Sequence, residues 1–279
     1  RAVAKGIDVF KVLQAACINP VKHYSMRNGT LKPGDAADFI ISKDLVNFDI
    51  THTYIDGVLV AENGRSLIKT TTAIAINQFN CSKKQKDDFA VEAKDPSSPV
   101  PVIGALEGQL ITEKLWIKPK TENGFIISDT ETDMLKIAVV NRYQDAPVAL
   151  SFIKNIGIKE GALASSVAHD SHNIVAVGVD DESICRAVNL VIAEKGGISA
   201  VGKGKEKLLG LPVAGLMSAG DGYKVSAAYT AIDNFVKNEL GSTMAAPFMT
   251  LSFMALLVIP HLKLSDKGLF DGDNFRFVD

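Results

Sequence analysis

Cysteine is scarce and scattered in this chain. Cys17, Cys81 and Cys185 are its only three among 279 residues, and they form no C-x-x-C pair. Their odd number and wide spacing argue against a disulfide scaffold and suit a reducing cytoplasm. Basic blocks interleaved with aromatics are also missing, and the net charge is only −2. That leaves no bulk electrostatic case for nucleic acid or an anionic membrane as partner. Long apolar runs are lacking too. The longest near the end, Met254 to Ile259, stops at Pro260, well short of the ~20 residues that cross a bilayer. There is no internal repeat and no G-x-S-x-G around a serine, so a hydrolase elbow is not supported. What remains is a chain that is 47% hydrophobic, enough for one large domain or two smaller ones with real cores.

The chain starts at Arg1, with no signal-like segment after it, and enters helical sequence directly. It reads as a fragment or processed product whose N-terminal part is missing. Asp8 can cap a helix through Cys17, with Val9, Val12, Leu13 and Ala16 on one face and Asn19-Pro20 as its stop. Asn28 to Asp38 is rich in turn signals. Phe39 to Ser42 reads as a strand, and Thr51–Ile55 with Val58–Ala61 reads as a hairpin through a type I′ turn at Asp56-Gly57. Asn63-Gly64 closes this first unit. Residues 80–100 are charged and turn-rich, as expected of a surface connection between two units, with a long loop inside one domain as the alternative.

Strand signals dominate from about residue 100, at 101–105, 111–117, 125–128, 135–141, 147–153, 162–168 and 173–179. Amphipathic helices follow over Asp181–Lys195 and about Gly222–Leu240, and a short apolar helix over Phe248–Leu256. Strands in a run and helices after them imply an α+β architecture rather than a strictly alternating parallel sheet.

The densest polar cluster is Ser165-Ser-Val-Ala-His-Asp-Ser-His-Asn173, between two apolar runs, which marks a strand end or tight connection. His169 and His172 are spaced to share one side of a helical turn, and Asp170 could orient an imidazole. A complete metal site needs three or four ligands, and His23, His52 and His261 stand in unrelated contexts. Hydrogen bonding of His169 and Asn173 to backbone at a strand end is the plainer reading, and a place in an active-site wall is the third. Gly202-Lys-Gly204 lacks phosphate-loop spacing and reads as a hairpin turn. Gly215 to Gly220 could hold an anion at the start of a helix, but reads first as a simple helix start. Cys185 reads as a partly buried thiol with no base beside it. Asp180, Asp181 and Glu182 suit a helix N-terminus.

Two groups of motifs resemble known families. Gly29-Thr-Leu-Lys-Pro-Gly-Asp-Ala-Ala-Asp-Phe-Ile-Ile41, Tyr54-Ile-Asp-Gly-Val-Leu-Val60 and Ala16-Cys-Ile-Asn-Pro20 resemble the closing segment of the amidohydrolase superfamily. Asn141-Arg-Tyr143, Gly161 to Asn173, Gly196-Gly-Ile198, Leu211 to Ser218, Pro247 to Met254 and Val258 to Leu269 resemble the C-terminal domain of bacterial adenine deaminases. The resemblance implies the last barrel helix at 1–20, a β-sandwich return segment at 21–70, a connection at 71–99 and a sheet-rich α+β domain with packed helices at 100–279. It implies hydrolysis of adenine to hypoxanthine and ammonia by water activated on Mn or Fe, in a cytoplasmic homo-oligomer. The H-x-H motif and the other primary metal ligands of that family are missing from this sequence, so no catalytic or metal-binding residue transfers to it and no metal is expected in it. His169, Asp170, His172 and Asn173 become candidates to line the purine pocket or to support it by hydrogen bonds from behind. The alternatives are a non-catalytic domain for packing and oligomerisation, and a self-contained metalloenzyme built on His169 and His172.

Overall fold

The computed structural model describes residues 1–71 and 73–278. The chain divides into two compact units, 1–71 and 72–279.

In the first unit, helix α1 (Val9–Leu13) starts at Asp8, whose Oδ1 accepts from the N–H groups of Phe10 and Lys11 at 3.1 Å. A π-helical stretch, Gln14–Ile18, joins it to helix α2 (Asn19–His23). Asn19-Pro20 therefore does not end the helix as expected. The Asn19 N–H bonds to the carbonyl of Gln14, and this wider turn absorbs the proline, which lacks the donor an α-turn needs. A four-stranded antiparallel sheet follows, with β1 (Phe39–Ser42), β2 (Ile50–Ile55), β3 (Val58–Glu62) and β4 (Arg65–Ser66) in sequence order. Asp56 and Gly57 have φ of 50° and 76°, the left-handed pair a type I′ turn requires. Asp38 ties the segment before β1 to this turn, accepting from Gly29 N–H at 3.2 Å and Asp56 N–H at 2.8 Å. No residue of 1–71 is buried.

The second unit carries an eight-stranded sheet. Its strands are β5 (Val100–Ala105), β6 (Thr112–Ile117), β9 (Met134–Val140), β10 (Ala149–Lys154), β11 (Ala162–Ser165), β12 (Ile174–Gly178), β13 (Gly197–Gly202) and β14 (Lys205–Gly210). β7 (Lys120–Glu122) and β8 (Phe125–Ile127) form a separate hairpin. The order is β14-β13-β11-β12-β9-β10-β5-β6, antiparallel throughout except for β10 beside β5. Helix α3 (Asp181–Ala193) covers one face. Helices α4 (Gly222–Asn238) and α5 (Pro247–Phe253), with strands β15 (Leu262–Ser265), β16 (Gly268–Asp271) and β17 (Arg276–Phe277), complete the unit.

Side chains alternate across the sheet. Leu135, Ile137 and Val139 of β9 face a core shared with Ile232, Phe235 and Leu251. Ala138 and Val140 face a second core with Ile184, Val188 and Phe89. Both faces are covered, so the central strands are apolar in both registers. The unit is a sheet-rich α+β fold, as the sequence implies. The stretch 80–100 differs from a plain surface connection: Cys81 and Phe89, with Phe79 just before it, are buried in the α3 core. These few large apolar side chains outweigh the charged residues around them.

Candidate functional site

The polar cluster forms the connection from β11 to β12, with strands shorter than 162–168 and 173–179 because Ser166 to Asn173 turns. Ser166 fixes its start. Its N–H bonds to Gly197 O at 3.0 Å, its hydroxyl donates to Gly215 O at 2.6 Å, and that hydroxyl accepts from Gly197 N–H at 2.8 Å. His169 N–H donates to Ser252 O of α5 at 2.9 Å. His172, at φ 53°, closes the turn through its N–H to Ala168 O at 2.9 Å. The two imidazoles meet edge to face with centroids 6.2 Å apart, and His169 also lies 4.8 Å from the Phe253 ring. Asn173 is buried, and its Oδ1 accepts from the Arg142 N–H at 3.2 Å. Asp170 is exposed and bonds to neither imidazole among the described residues.

Arg142 sits directly behind this loop. It is only 5% exposed, and among the described residues no carboxylate pairs with it. Nη1 donates to Ala214 O at 2.7 Å and to Asn77 Oδ1 at 3.4 Å. Nη2 donates to the Tyr143 hydroxyl at 3.1 Å, which donates onward to Ser171 O at 2.7 Å. The guanidinium carbon lies 4.7 Å from the Tyr143 ring centroid and 5.7 Å from that of Phe79. Carbonyl dipoles and aromatic faces thus carry a buried charge that ordinarily calls for a counter-ion. Gly215 makes room for it: a Cβ there would stand 2.0 Å from Nη1, and the backbone has φ +72°. Asn141 secures the turn after β9, accepting from Tyr143 N–H at 2.9 Å and donating to Asp266 at 2.8 Å.

Burial pushes the His172 imidazole below its ordinary pKa, and the charge of Arg142 and the neighbouring His169 push the same way. A neutral imidazole follows at neutral pH, able to donate from one nitrogen and accept at the other. Its Nδ1 and the Arg142 Nε are buried without a hydrogen-bond partner, so both retain polar capacity. The serine hydroxyls here serve the backbone. Burial raises the thiols of Cys81 and Cys185, which makes them poor nucleophiles. Among the described residues, no three His, Cys, Asp or Glu side chains gather to hold a metal ion.

The structure brings His169, His172 and Asn173 together and leaves Asp170 at the surface. None of the four lines the adjacent apolar cavity of about 120 Å³, whose walls include Val167, Leu211, Tyr229, Phe248 and Ser252. The Gly215–Gly220 stretch leads to α4 as a simple start, capped by Asp221, which accepts from Lys224 N–H at 3.0 Å. The sequence reading missed Arg142, Tyr143 and Asn77 as partners of the loop. The available signal was Asn141-Arg-Tyr143, three polar-headed residues directly after an apolar strand.

The chain matches the family described as adenine deaminase C-terminal domain over residues 109–276, and the amidohydrolase family over residues 1–60. It is 49% identical over 280 residues to the adenine deaminase of Borreliella burgdorferi, covering 100% of this chain and 51% of that protein. It is 48% identical to the adenine deaminase of Sulfurovum sp., covering 100% of this chain and 50% of the relative. It is 49% identical over 289 residues to that of Methanosarcina acetivorans, covering 100% and 52%. The chain thus spans about half the length of the curated relatives it matches. The motifs that meet around Arg142, from Asn141 through the His169–Asn173 loop to Gly215, all lie within the matched C-terminal domain, and the chain belongs to the adenine deaminase C-terminal domain family.

Proposed function

We propose that this chain is the C-terminal part of an adenine deaminase, which hydrolyses adenine to hypoxanthine and ammonia. The observation that carries this reading is its 49% identity, along its whole length, to a relative named adenine deaminase. The amidohydrolase match over residues 1–60 and the lack of buried residues in 1–71 support reading this unit as the last helix and return strands of a barrel. Such strands bury their apolar side chains only against the rest of that fold. The described residues do not fit a metal site, so Mn or Fe belongs to the barrel in this reading. The part of this chain is positional. His169, His172 and Asn173, fixed from behind by Arg142 and Tyr143, border the purine pocket or hold hydrogen bonds that shape it, with Asp170 at the rim. A cytoplasmic homo-oligomer completes the reading.

The test is co-expression of this chain with the half of the Borreliella burgdorferi relative that it does not match. Adenine-dependent release of ammonia and hypoxanthine is expected from the pair and not from this chain alone. In the active pair, His169→Ala with His172→Ala should lower kcat/KM by about tenfold or more, a loss of ~1.4 kcal/mol of transition-state stabilisation, without shifting thermal unfolding. Unchanged kcat/KM with lowered stability would instead assign the loop to packing and oligomerisation.

A further inference from the structure

A cleft of about 210 Å³ opens between β6 and the β16–β17 hairpin, and it shares no lining residue with the loop at Ser166–Asn173. Its floor is an ion pair between Lys114 and the nearly buried Asp271. Asp271 also accepts from Asn274 Nδ2 at 2.8 Å and from the N–H groups of Asp273 at 3.1 Å and Asn274 at 3.4 Å. The Lys114 ammonium, with these donors, holds the Asp271 carboxyl well below the usual carboxylate range. Its negative charge is therefore fully engaged and offers nothing to a ligand.

The upper walls differ from the floor. Trp116 is 60% exposed and Phe277 44%, although large aromatic rings ordinarily bury most of their surface. Trp116 stands two residues along β6 from Lys114, on the same face of the strand, and faces Pro101 across the β5–β6 ladder. Arg276 pairs with Asp271 through the backbone ladder, but among the described residues no carboxylate or hydrogen-bond acceptor engages its guanidinium. The cleft therefore offers two exposed aromatic side chains, one of them Phe277 packed edge to face with Phe270 at 5.3 Å, and, among the described residues, one cation without an ion-pair partner. Its volume suits a ring system rather than a large flexible molecule.

We propose that this cleft binds a planar aromatic ring bearing an anionic group, the chemistry of a nucleoside monophosphate, with the ring on Trp116 and the anion on Arg276. The assignment rests on the cleft alone and stands whether or not the chain completes an adenine deaminase.

Trp116 is the single tryptophan of the chain, so its fluorescence reports the cleft directly. Adenosine 5′-monophosphate, titrated with excitation beyond its own absorption band, should quench Trp116 saturably. Adenosine should require about tenfold more, because it lacks the anion, and inorganic phosphate should not quench. Arg276→Gln, at an exposed position, should raise the half-saturating concentration of the monophosphate about tenfold, ~1.4 kcal/mol, and leave that of adenosine unchanged. Absence of saturable quenching overturns the proposal, as does equal quenching by monophosphate in wild type and Arg276→Gln. A concentration-dependent blue shift without ligand overturns it in favour of a second copy of the chain covering Trp116.

Discussion

Lys263 poses the clearest problem at the scale of single residues. It lies in β15 with no exposed surface, and its ammonium donates to the carbonyl of Leu110 at 2.6 Å. Burial alone pushes this amine down from 10.5 to about 8. Below pH 8 the lysine is charged in both the folded and unfolded chain, and the fold carries the cost of burying that charge. Between about 8 and 10.5 the unfolded chain holds a proton that the folded one has shed, so stability rises with pH across that window. Lys263→Met should therefore stabilise the protein by about 2 kcal/mol at pH 7, and its urea midpoints should lose the rise between pH 8 and 10.5. Buried lysines such as this one escape a sequence reading for a definite reason. Leu262-Lys-Leu264 and Leu135-Lys-Ile137 alternate as a strand with one wet face does. In the fold both faces are covered, so Lys136 reaches Phe89 O at 2.7 Å and pairs with Asp181. Arg142 escaped similarly, because beyond the adjacent Tyr143 its partners are oxygens of Asn77 and Ala214, from distant segments that leave no mark beside it in sequence. The cluster His169–Asn173 was legible as a connection because four polar side chains cannot be buried inside a strand. Its orientation by Asp170 was not realised, since that carboxylate faces solvent.

Elements with an apolar run on both faces or a clear 3.6-residue period were legible: β9, β11, β12, α3 and α4. The hairpin β13–β14 was legible only at its turn, because the exposed Lys205–Lys207 side of β14 carries no apolar alternation. β15–β17 are too short, and too dependent on packing under the main sheet, to show a period of their own. Asp180 was readable as part of an acidic helix start, but its role is more specific than a favourable dipole. Its carboxylate accepts from the Ser183 N–H and hydroxyl, each at 2.7 Å, as an N-cap does. Asp180→Ala should cost about 1 kcal/mol, seen as a fall in Tm of roughly 2–4 °C. Asp180→Asn, which keeps the accepting oxygen, should recover most of it. Asp181 does not substitute for it, being committed to Lys136 on the sheet.

At the scale of the molecule the two units differ in how they are stabilised. Unit 72–279 holds two large apolar cores, with Leu135, Ile137, Val175 and Val177 fully buried in one and Ala138, Ile174, Ile184 and Val188 in the other, and a smaller third around Val102, Ile126, Met134 and Phe152. Burial at roughly 25 cal/mol per Å² makes such cores the dominant favourable contribution to folding. Unit 1–71 has no buried residue, and Phe10, Ile40, Ile41, Val58 and Leu67 are exposed. Its local order comes from capping at Asp8, the Asp38 ties, the I′ turn and the ladder of its four-stranded sheet, each hydrogen bond worth only about 1 kcal/mol. These quantities cannot offset the conformational entropy of 71 residues, at roughly 1–2 kcal/mol each. A chain beginning at Ala73 should therefore keep a single cooperative thermal transition, with a Tm within about 4 °C of the whole chain. Residues 1–71 alone should show no cooperative transition by circular dichroism and rapid amide exchange throughout. A Tm loss well beyond that range on truncation would mean that the sheet cores do not suffice, and that the first unit contributes stability its own exposed residues give no sign of.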